Sequence, residues 1–567
     1  MPRTPGRAVP DFLSHLLRTW PQPVLAPRTV AVLLSLWCTV ALNQALWHKL
    51  AGLPDFSDPW LLRRTVIAVL VACATYLWFM LWSWPRLRRP MWSLTLVVAA
   101  VVQYYMLRYG MVMDSSMAHN VLQTNFTEGL ALFSMTLVGH VLVLAGLPLL
   151  WLYRGLRFKE ESARKSWGCS ALVLLACLGL LVGGAMGMYR ELAPLLRNHT
   201  EIRYQINPLA SVVSFASVTI KPLLQPQRPF QPITAGALLG ASYANAATKP
   251  PLLVLVVGET ARADHFGLNG YPRDTTPEME AHQVISWRQV QSCGTNTQAS
   301  VPCMFSSLGK AGYERRKFEY GNLLDVLQAA GLGVEWLENQ SGCKGVCDRV
   351  PHAQADAIAT PQALRQWCKD GECLDQLMVD QLDQRLQALP EAARHQGAVL
   401  VLHQMGSHGP AYYRRSSAQN KTFQPECTTQ VTSDCSHTEL INVYDNSMRE
   451  TDRFVGRVID WLKTQQDQYA TSLLYVSDHG ESLGENGLYL HGMPYAIAPQ
   501  AQKHVPWVLW PGSLQARTGM DEQCARASID KAYTHDNYFH TVLGMLDVHS
   551  PTYKPELDML APCRKAG

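Results

Sequence analysis

At 567 residues the chain exceeds the usual single domain of roughly 100 to 200 residues, so more than one structural unit is expected. Hydrophobic residues make up 48% and charged residues only 17%, a balance too apolar for a wholly soluble enzyme. The formal charge of +4 is small and spread along the chain, which gives no case for nucleic acid as a partner.

The apolar excess lies in the first third. Uncharged runs at 29–47, 65–84, 91–107, 129–153 and 166–189 each approach the roughly 20 residues that span a bilayer, predicting five membrane helices. Basic residues orient them. Arg3, Arg7, Arg18 and Arg28 precede the first run, and Arg86, Arg88 and Arg89 separate the second from the third. Arg154, Arg157, Lys159, Arg164 and Lys165 separate the fourth from the fifth, which assigns all three clusters to the cytoplasmic side. Arg63 and Arg64 lie on the other side and weaken this bias without reversing it. An odd number of spans then puts everything after about residue 190 outside the cytoplasm. The first run has no clear small-residue cleavage site and reads as a retained anchor.

Between the third and fourth runs, MVMDSSMAHNVLQTNFTEG at 111–129 is too polar to cross a membrane. Asn120, Thr124 and Glu128 recur every fourth residue and form one polar stripe if this segment is helical. Spacing alone leaves a solvated face and a lipid-headgroup site both open. Residues 190–245 mix polar and apolar positions and turn rich in Pro, Ala and Gly, as connectors do, and Leu209, Val212, Val213 and Phe215 could dip into lipid. The expected division is a transmembrane domain at 1–190, a connector at 191–248 and a catalytic domain at 249–567.

Beyond the connector, short apolar runs at 251–257, 332–337, 398–402, 471–476 and 504–510 read as buried strands, with helices at 322–331 and 439–463 between them. That alternation predicts an α/β sandwich around a largely parallel sheet, whose chemistry collects at the carboxyl ends of the strands. Those ends carry Glu259, Lys344, His403 and His408. They also carry YVSDHGESLGENGLYLHG at 475–492, which holds Asp478, His479, Glu481, Glu485 and His491. A carboxylate beside an imidazole suits a borderline cation such as zinc, and Gly480, Gly484 and Gly487 let the backbone turn around it. CGTNTQASVPCMFSSLG at 293–309 offers hydroxyls at Thr295, Thr297 and Ser300 near a helix start. Each could be an ordinary N-cap or a nucleophile activated by a metal.

Of fourteen cysteines, Cys38, Cys73, Cys169 and Cys177 fall in the membrane runs. The rest pair locally as Cys293 with Cys303, Cys343 with Cys347, Cys368 with Cys373 and Cys427 with Cys435, leaving Cys524 with Cys563. Such pairs read as disulfides of an oxidising compartment, and their spacings do not repeat the CxxC pattern of a zinc ribbon.

VVGETARADHFGLNGYPRDTTP, CGTNTQASVPCMFS, NQSGCKGVCDRV, HQMGSHGPAYY and SDHGESLGENGLYLHG together resemble the bacterial inner-membrane phosphoethanolamine transferases. The likeness is strongest to those acting on lipid A, including the mobile colistin-resistance enzymes, and covers nearly the whole chain. It implies a multi-pass inner-membrane anchor and a periplasmic catalytic domain of the alkaline phosphatase and sulfatase superfamily. It implies Thr297 as the nucleophile, with Glu259, Thr297, Asp478 and His479 around zinc. His408 and His491 match positions that bind the phosphoryl group or a second zinc, with Lys344 and Glu481 nearby. Asn120, Thr124 and Glu128 match a stripe for the donor headgroup. Gln340 departs from the family pattern, which has Asn there. The implied reaction takes phosphoethanolamine from phosphatidylethanolamine through a phosphothreonine diester, releases diacylglycerol, and modifies a lipid A phosphate, which lowers affinity for cationic polymyxins. The working form is expected to be a monomer. Core heptose or another periplasmic glycan as acceptor, and phosphoglycerol as the transferred group, are the alternatives. A sulfatase would need a C/S-x-P-x-R stretch, and none occurs.

Overall fold

The computed structural model describes residues 22–564 apart from 53–59, 125–128, 131, 160–162, 190–191, 193–194, 197–198, 200, 221–227, 245–247 and 370. The chain divides into two compact units, one of residues 1–115 and 134–219, the other of residues 116–133 and 220–567.

Helices α1 (Pro27–Ala41), α2 (Gln44–Ala51), α3 (Trp60–Leu81) and α4 (Arg88–Tyr109) lead the chain, and α5 (Ser115–Gln123) follows. After them come α6 (Met135–Gly155), α7 (Ala163–Gly187) and α8 (Leu209–Thr219). Four of these helices are long and apolar enough to cross a membrane, and the bent pair α1 and α2 makes a fifth if it is one span. Leu36 and Val40 on α1 and Leu172 and Leu175 on α7 are exposed, as lipid-facing residues are, while Tyr76, Phe79 and Trp92 pack between helices.

The first expected span, 29–47, is therefore broken. The chain bends by 46° between α1 and α2, and polar side chains occupy the backbone groups around the break. Asn43 donates to the Cys38 and Asn207 carbonyls, and the Asn207 amide donates to those of Leu42 and Ala99. Gln103 donates to the Ala41 carbonyl at 2.8 Å.

In the second unit a sheet of seven strands is built from β1 (Pro251–Gly258), β2 (Ile285–Trp287), β3 (Gly333–Glu338), β4 (His352–Gln354), β5 (Ala398–His403), β6 (Ala470–Ser477) and β7 (Trp507–Trp510). The order across it is β4-β3-β5-β1-β6-β7-β2. β4, β3, β5, β1 and β6 pair in parallel, while β7 runs antiparallel to β6 and to β2. Every residue of β1 and β6 is buried, because both faces of these central strands are covered. Leu253, Leu255 and Val257 join one core with Trp336, Val401, Leu474 and Trp507, following the two-residue period of a strand.

The expected run 504–510 begins as a strand only at Trp507, since Pro506 has no N–H to give a ladder. The long expected helix is α11, introduced after α9 (Thr297–Met304) and α10 (Leu323–Ala329), and it spans His437–Thr464. Ser436 and Glu439 form its capping box, and Tyr444, Phe454, Val455 and Leu462 lie on its buried face. All five expected disulfides are formed.

Candidate metal and nucleophile centre

Glu259 follows the end of β1 and Asp478 and His479 follow the end of the neighbouring β6, so parallel pairing brings all three side chains together. One ligand atom from each lies within 4.8 Å of the others, and all three residues are buried. His479 Nε2 stands 3.2 Å from Glu259 Oε1 and 3.3 Å from Asp478 Oδ2. Its Nδ1 donates to the Gly480 carbonyl at 2.9 Å, which leaves Nε2 as the bare nitrogen facing the two carboxylates. Asp478 Oδ1 accepts from the backbone N–H of His479 and Thr260.

The atoms that meet are the ones left over. Glu259 Oε1, Asp478 Oδ2 and His479 Nε2 are each buried without a hydrogen-bond partner among the described residues. Orphaned polar atoms at zero exposure are costly, and three converging on one point fit a cation. Two carboxylate oxygens and one imidazole nitrogen are a donor set suited to zinc.

The other oxygen of Glu259 holds the hydroxyl. Thr297 Oγ1 donates to Glu259 Oε2 at 3.0 Å, and Gln340 Nε2 donates to the same oxygen at 2.9 Å. Thr297 opens α9 behind the N-cap Asn296, whose side chain accepts from the Ala299 N–H. The cap is thus Asn296, which leaves Thr297 Oγ1 for chemistry. Thr295 and Ser300 are spent structurally, on the Met493 and Asp478 carbonyls respectively.

Burial works against charge on Glu259, but the His479 imidazole holds its carboxyl well below the usual range. Burial and the Glu259 charge push Asp478 well above it. Burial opposes a proton on His479, yet Asp478 and Glu259 raise it to about 10. In the absence of a cation, protons take up the charge of this cluster.

Next to it stands a histidine pair. His491 lies with its ring centroid 4.4 Å from that of His479 and 5.1 Å from that of His408. Glu481 fixes it, accepting at Oε2 from His491 Nδ1 at 2.9 Å while Oε1 accepts from Tyr412 at 2.8 Å. Burial pushes the Glu481 carboxyl up to about 8, against the charges of His408 and His479. Arg415 donates to the His408 carbonyl at 3.0 Å and pairs with Glu372 at 2.7 Å, inside the Cys368–Cys373 hairpin. Gly406, at φ +51°, lets that loop pass Glu259, where a Cβ would sit 2.6 Å from the Glu259 carbonyl.

Three expected residues take other places. Glu485 is no ligand: it pairs with Arg262, whose guanidinium also binds Asp264 and the Glu481 carbonyl. Lys344 Nζ turns to Ser341 O and Oγ, both at 2.9 Å, on the loop that leads away from Gln340. His403 is buried below the site, with Nδ1 3.7 Å from Glu338 Oε2. The expected stripe at 111–129 is described only in part. α5 ends at Gln123, Thr124 donates back to the Asn120 carbonyl at 3.0 Å, and Glu128 lies outside the described residues. α5 does reach the His491 turn. A Cβ on Gly492 would meet Met117 Cε at 2.7 Å.

Tyr412, Arg415 and Arg262 were not legible as site residues, since each is tied to a partner far away in sequence, and Gln340 showed only as a departure from the family pattern and not as a partner of Glu259.

A family model described as phosphoethanolamine transferase EptA/EptB matches residues 71–223, and the Sulfatase model matches 251–548. Phosphoethanolamine transferase EptA of Escherichia coli (strain K12) is 37% identical over 508 residues, covering 88% of this chain and 89% of its own. The chain belongs to the phosphoethanolamine transferase family. Phosphatidylethanolamine transferase Mcr-1 of Escherichia coli is 34% identical over 551 residues, covering 94% of this chain and 97% of its own. The solved integral membrane lipooligosaccharide phosphoethanolamine transferase A of Neisseria meningitidis superposes with TM-score 0.89 at 35% identity, covering 96% of this chain and 100% of that one. The chain is accordingly a phosphoethanolamine transferase of the inner membrane, with membrane helices and a periplasmic sulfatase-like α/β domain.

Proposed function

We propose that Thr297 takes phosphoethanolamine from phosphatidylethanolamine and passes it to a phosphate of lipid A, assisted by zinc held by Glu259, Thr297, Asp478 and His479. One observation carries this reading: three orphaned ligand atoms converge beside a hydroxyl that Glu259 holds by its other oxygen. When bound, zinc lowers the pKa of the hydroxyl and offsets charge on the phosphoryl oxygens.

Glu259 Oε2 takes the hydrogen bond of Thr297 and orients the hydroxyl, whose proton is lost to water while the Thr297 Oγ–P bond forms and the P–O bond to diacylglycerol breaks. His408 or His491 supplies the proton that diacylglycerol carries away. In the second half, an ionised phosphate oxygen of the acceptor attacks the phosphothreonine diester, and Thr297 Oγ leaves and recovers its proton. Two half-reactions at one nucleophile give ping-pong kinetics. Gln340 shares Glu259 Oε2 and holds the carboxylate in place, and Glu481 fixes the His491 ring. Asn120 and Thr124, with Glu128, receive the donor headgroup, which the packing of Met117 on Gly492 supports. Acting on lipid A, the chain would offset phosphate charge with a cationic amine and so lower affinity for cationic polymyxins.

Mass spectrometry of lipid A from a polymyxin-sensitive Gram-negative host tests this. The chain should add a phosphoethanolamine increment and the Thr297→Ala variant should not. An increment that survives in Thr297→Ala would remove Thr297 as nucleophile, and an increment on core heptose alone would move the acceptor.

A further inference from the structure

Asp375 is a buried carboxylate that the transfer reaction above does not use. It precedes the short helix Gln376–Val379, where an aspartate ordinarily caps, yet its side chain bonds no N–H of that helix. Its oxygens turn to two other segments. Oδ1 accepts from Asn339 Nδ2 and from the Met405 N–H, both at 2.8 Å, and Oδ2 accepts from the Gly406 N–H at 2.9 Å.

Both segments belong to the centre. Asn339 leads directly into Gln340, which donates to Glu259 Oε2, and Met405 and Gly406 open the turn that carries His408. The Ser407 N–H donates to the Glu259 carbonyl at 3.1 Å, so this turn is pinned to Glu259 on one side and to Asp375 on the other. Arg415 holds the His408 carbonyl and pairs with Glu372, which lies just before Cys373 in the same stretch as Asp375. The stretch from Glu372 to Asp375 therefore reaches the His408 turn at two points and the Gln340 loop at a third.

A buried carboxylate is costly, and burial raises the Asp375 carboxyl above its usual range against these donors and the Arg415 charge. Hydrogen bonds to an ionised acceptor are about twice as strong as neutral ones, so a charge here fixes the turn more firmly than a neutral oxygen would. A misplacement of about 1 Å in such a turn can cost a catalysed step about 100-fold. We propose, on the transfer reaction above, that Asp375 is a positioning residue. It sets the place of His408 and, through Asn339 and Gln340, of the Glu259 carboxylate.

Asp375→Asn keeps the shape and turns one acceptor oxygen into a donor, so at least one of the three N–H groups loses its partner. The zinc-loaded full chain in detergent, mixed with phosphatidylethanolamine and no acceptor, should release a burst of diacylglycerol. Its amplitude counts competent sites, and its rate constant reports the donor half-reaction. In Asp375→Asn the saturating rate constant should fall roughly 10–100-fold, with amplitude and half-saturating phosphatidylethanolamine unchanged. A merely structural role would lower the amplitude and leave the rate constant. That result, an unchanged burst, or a change confined to half-saturation would each overturn the assignment. Should Asp375→Asn not fold, Asn339→Ala removes one of the three bonds and carries the same test: a slower burst at full amplitude supports the assignment, and an unchanged rate constant rejects it. Without any burst from the unmodified chain the transfer reaction itself fails. The hold on the turn is then judged by hydrogen exchange of the 404–409 peptide: faster exchange in Asp375→Asn, with the rest of the catalytic domain unchanged, supports it, and equal exchange rejects it.

Discussion

Glu259 divides its carboxylate between two tasks, with Oε1 facing Asp478 and His479 and Oε2 accepting from Thr297 and Gln340. Gln340 thus restrains the carboxylate that lies between nucleophile and cation. Gln340→Ala should weaken zinc binding about 10–100-fold, measured by competition with a chromophoric chelator, with the fold intact. The ligand types were legible because Asp478 and His479 adjoin in a Gly-rich turn. The division of labour within one carboxylate was not, since it depends on which oxygen faces which strand. His535 is a second case. It accepts at Nδ1 from the Cys293 N–H and donates from Nε2 to the Ser477 carbonyl, and burial lowers its pKa from 6.5 to about 3. An unfolded chain binds a proton below pH 6.5 that the folded chain refuses until about 3, so stability drains as pH falls through that window. The thermal midpoint of the purified chain should drop between pH 7 and 5, and more shallowly in His535→Gln. An equal slope in both would remove His535 as the cause.

At the scale of elements, the turn after β6 approaches α5 at Gly492, against Met117. Gly492 has φ +90°, a conformation that L side chains rarely adopt, so Gly492→Ala strains the backbone of the His491 turn and makes Met117 Cε shift. Transfer activity should fall in that variant while zinc content, measured by atomic absorption, stays at the level of the unmodified chain. Loss of zinc would show instead that the whole 478–492 turn had moved. The break between α1 and α2 is held by Asn43 and Asn207, both buried and linked by two hydrogen bonds. Asn207→Leu removes the side-chain amide that donates to the Leu42 and Ala99 carbonyls and should cost about 1–3 kcal/mol, read as a lower thermal midpoint in detergent. Strands buried on both faces were legible as apolar runs. β2 and β4 were not, because three residues at a sheet edge carry too little pattern, and the break at Asn43 was hidden inside a run read as one span because it is uncharged throughout.

For the whole molecule, the parallel pairing of β5, β1 and β6 is what assembles the centre. Three strand ends far apart in sequence deliver Glu259, His408 and the 478–491 cluster to one edge, and five disulfides fasten segments of the same unit. Chelation should therefore abolish transfer, lower the thermal midpoint by several degrees and be reversed by added zinc, because a cation that binds only the folded chain stabilises it. Activity unchanged after verified metal removal would separate the cluster from the reaction. The most direct test of the account is peptide mass spectrometry of the full chain quenched after mixing with phosphatidylethanolamine and no acceptor. The account predicts phosphoethanolamine on the Thr297 peptide, lost when lipid A is added. An adduct on another residue, or transfer proceeding with none, would contradict it.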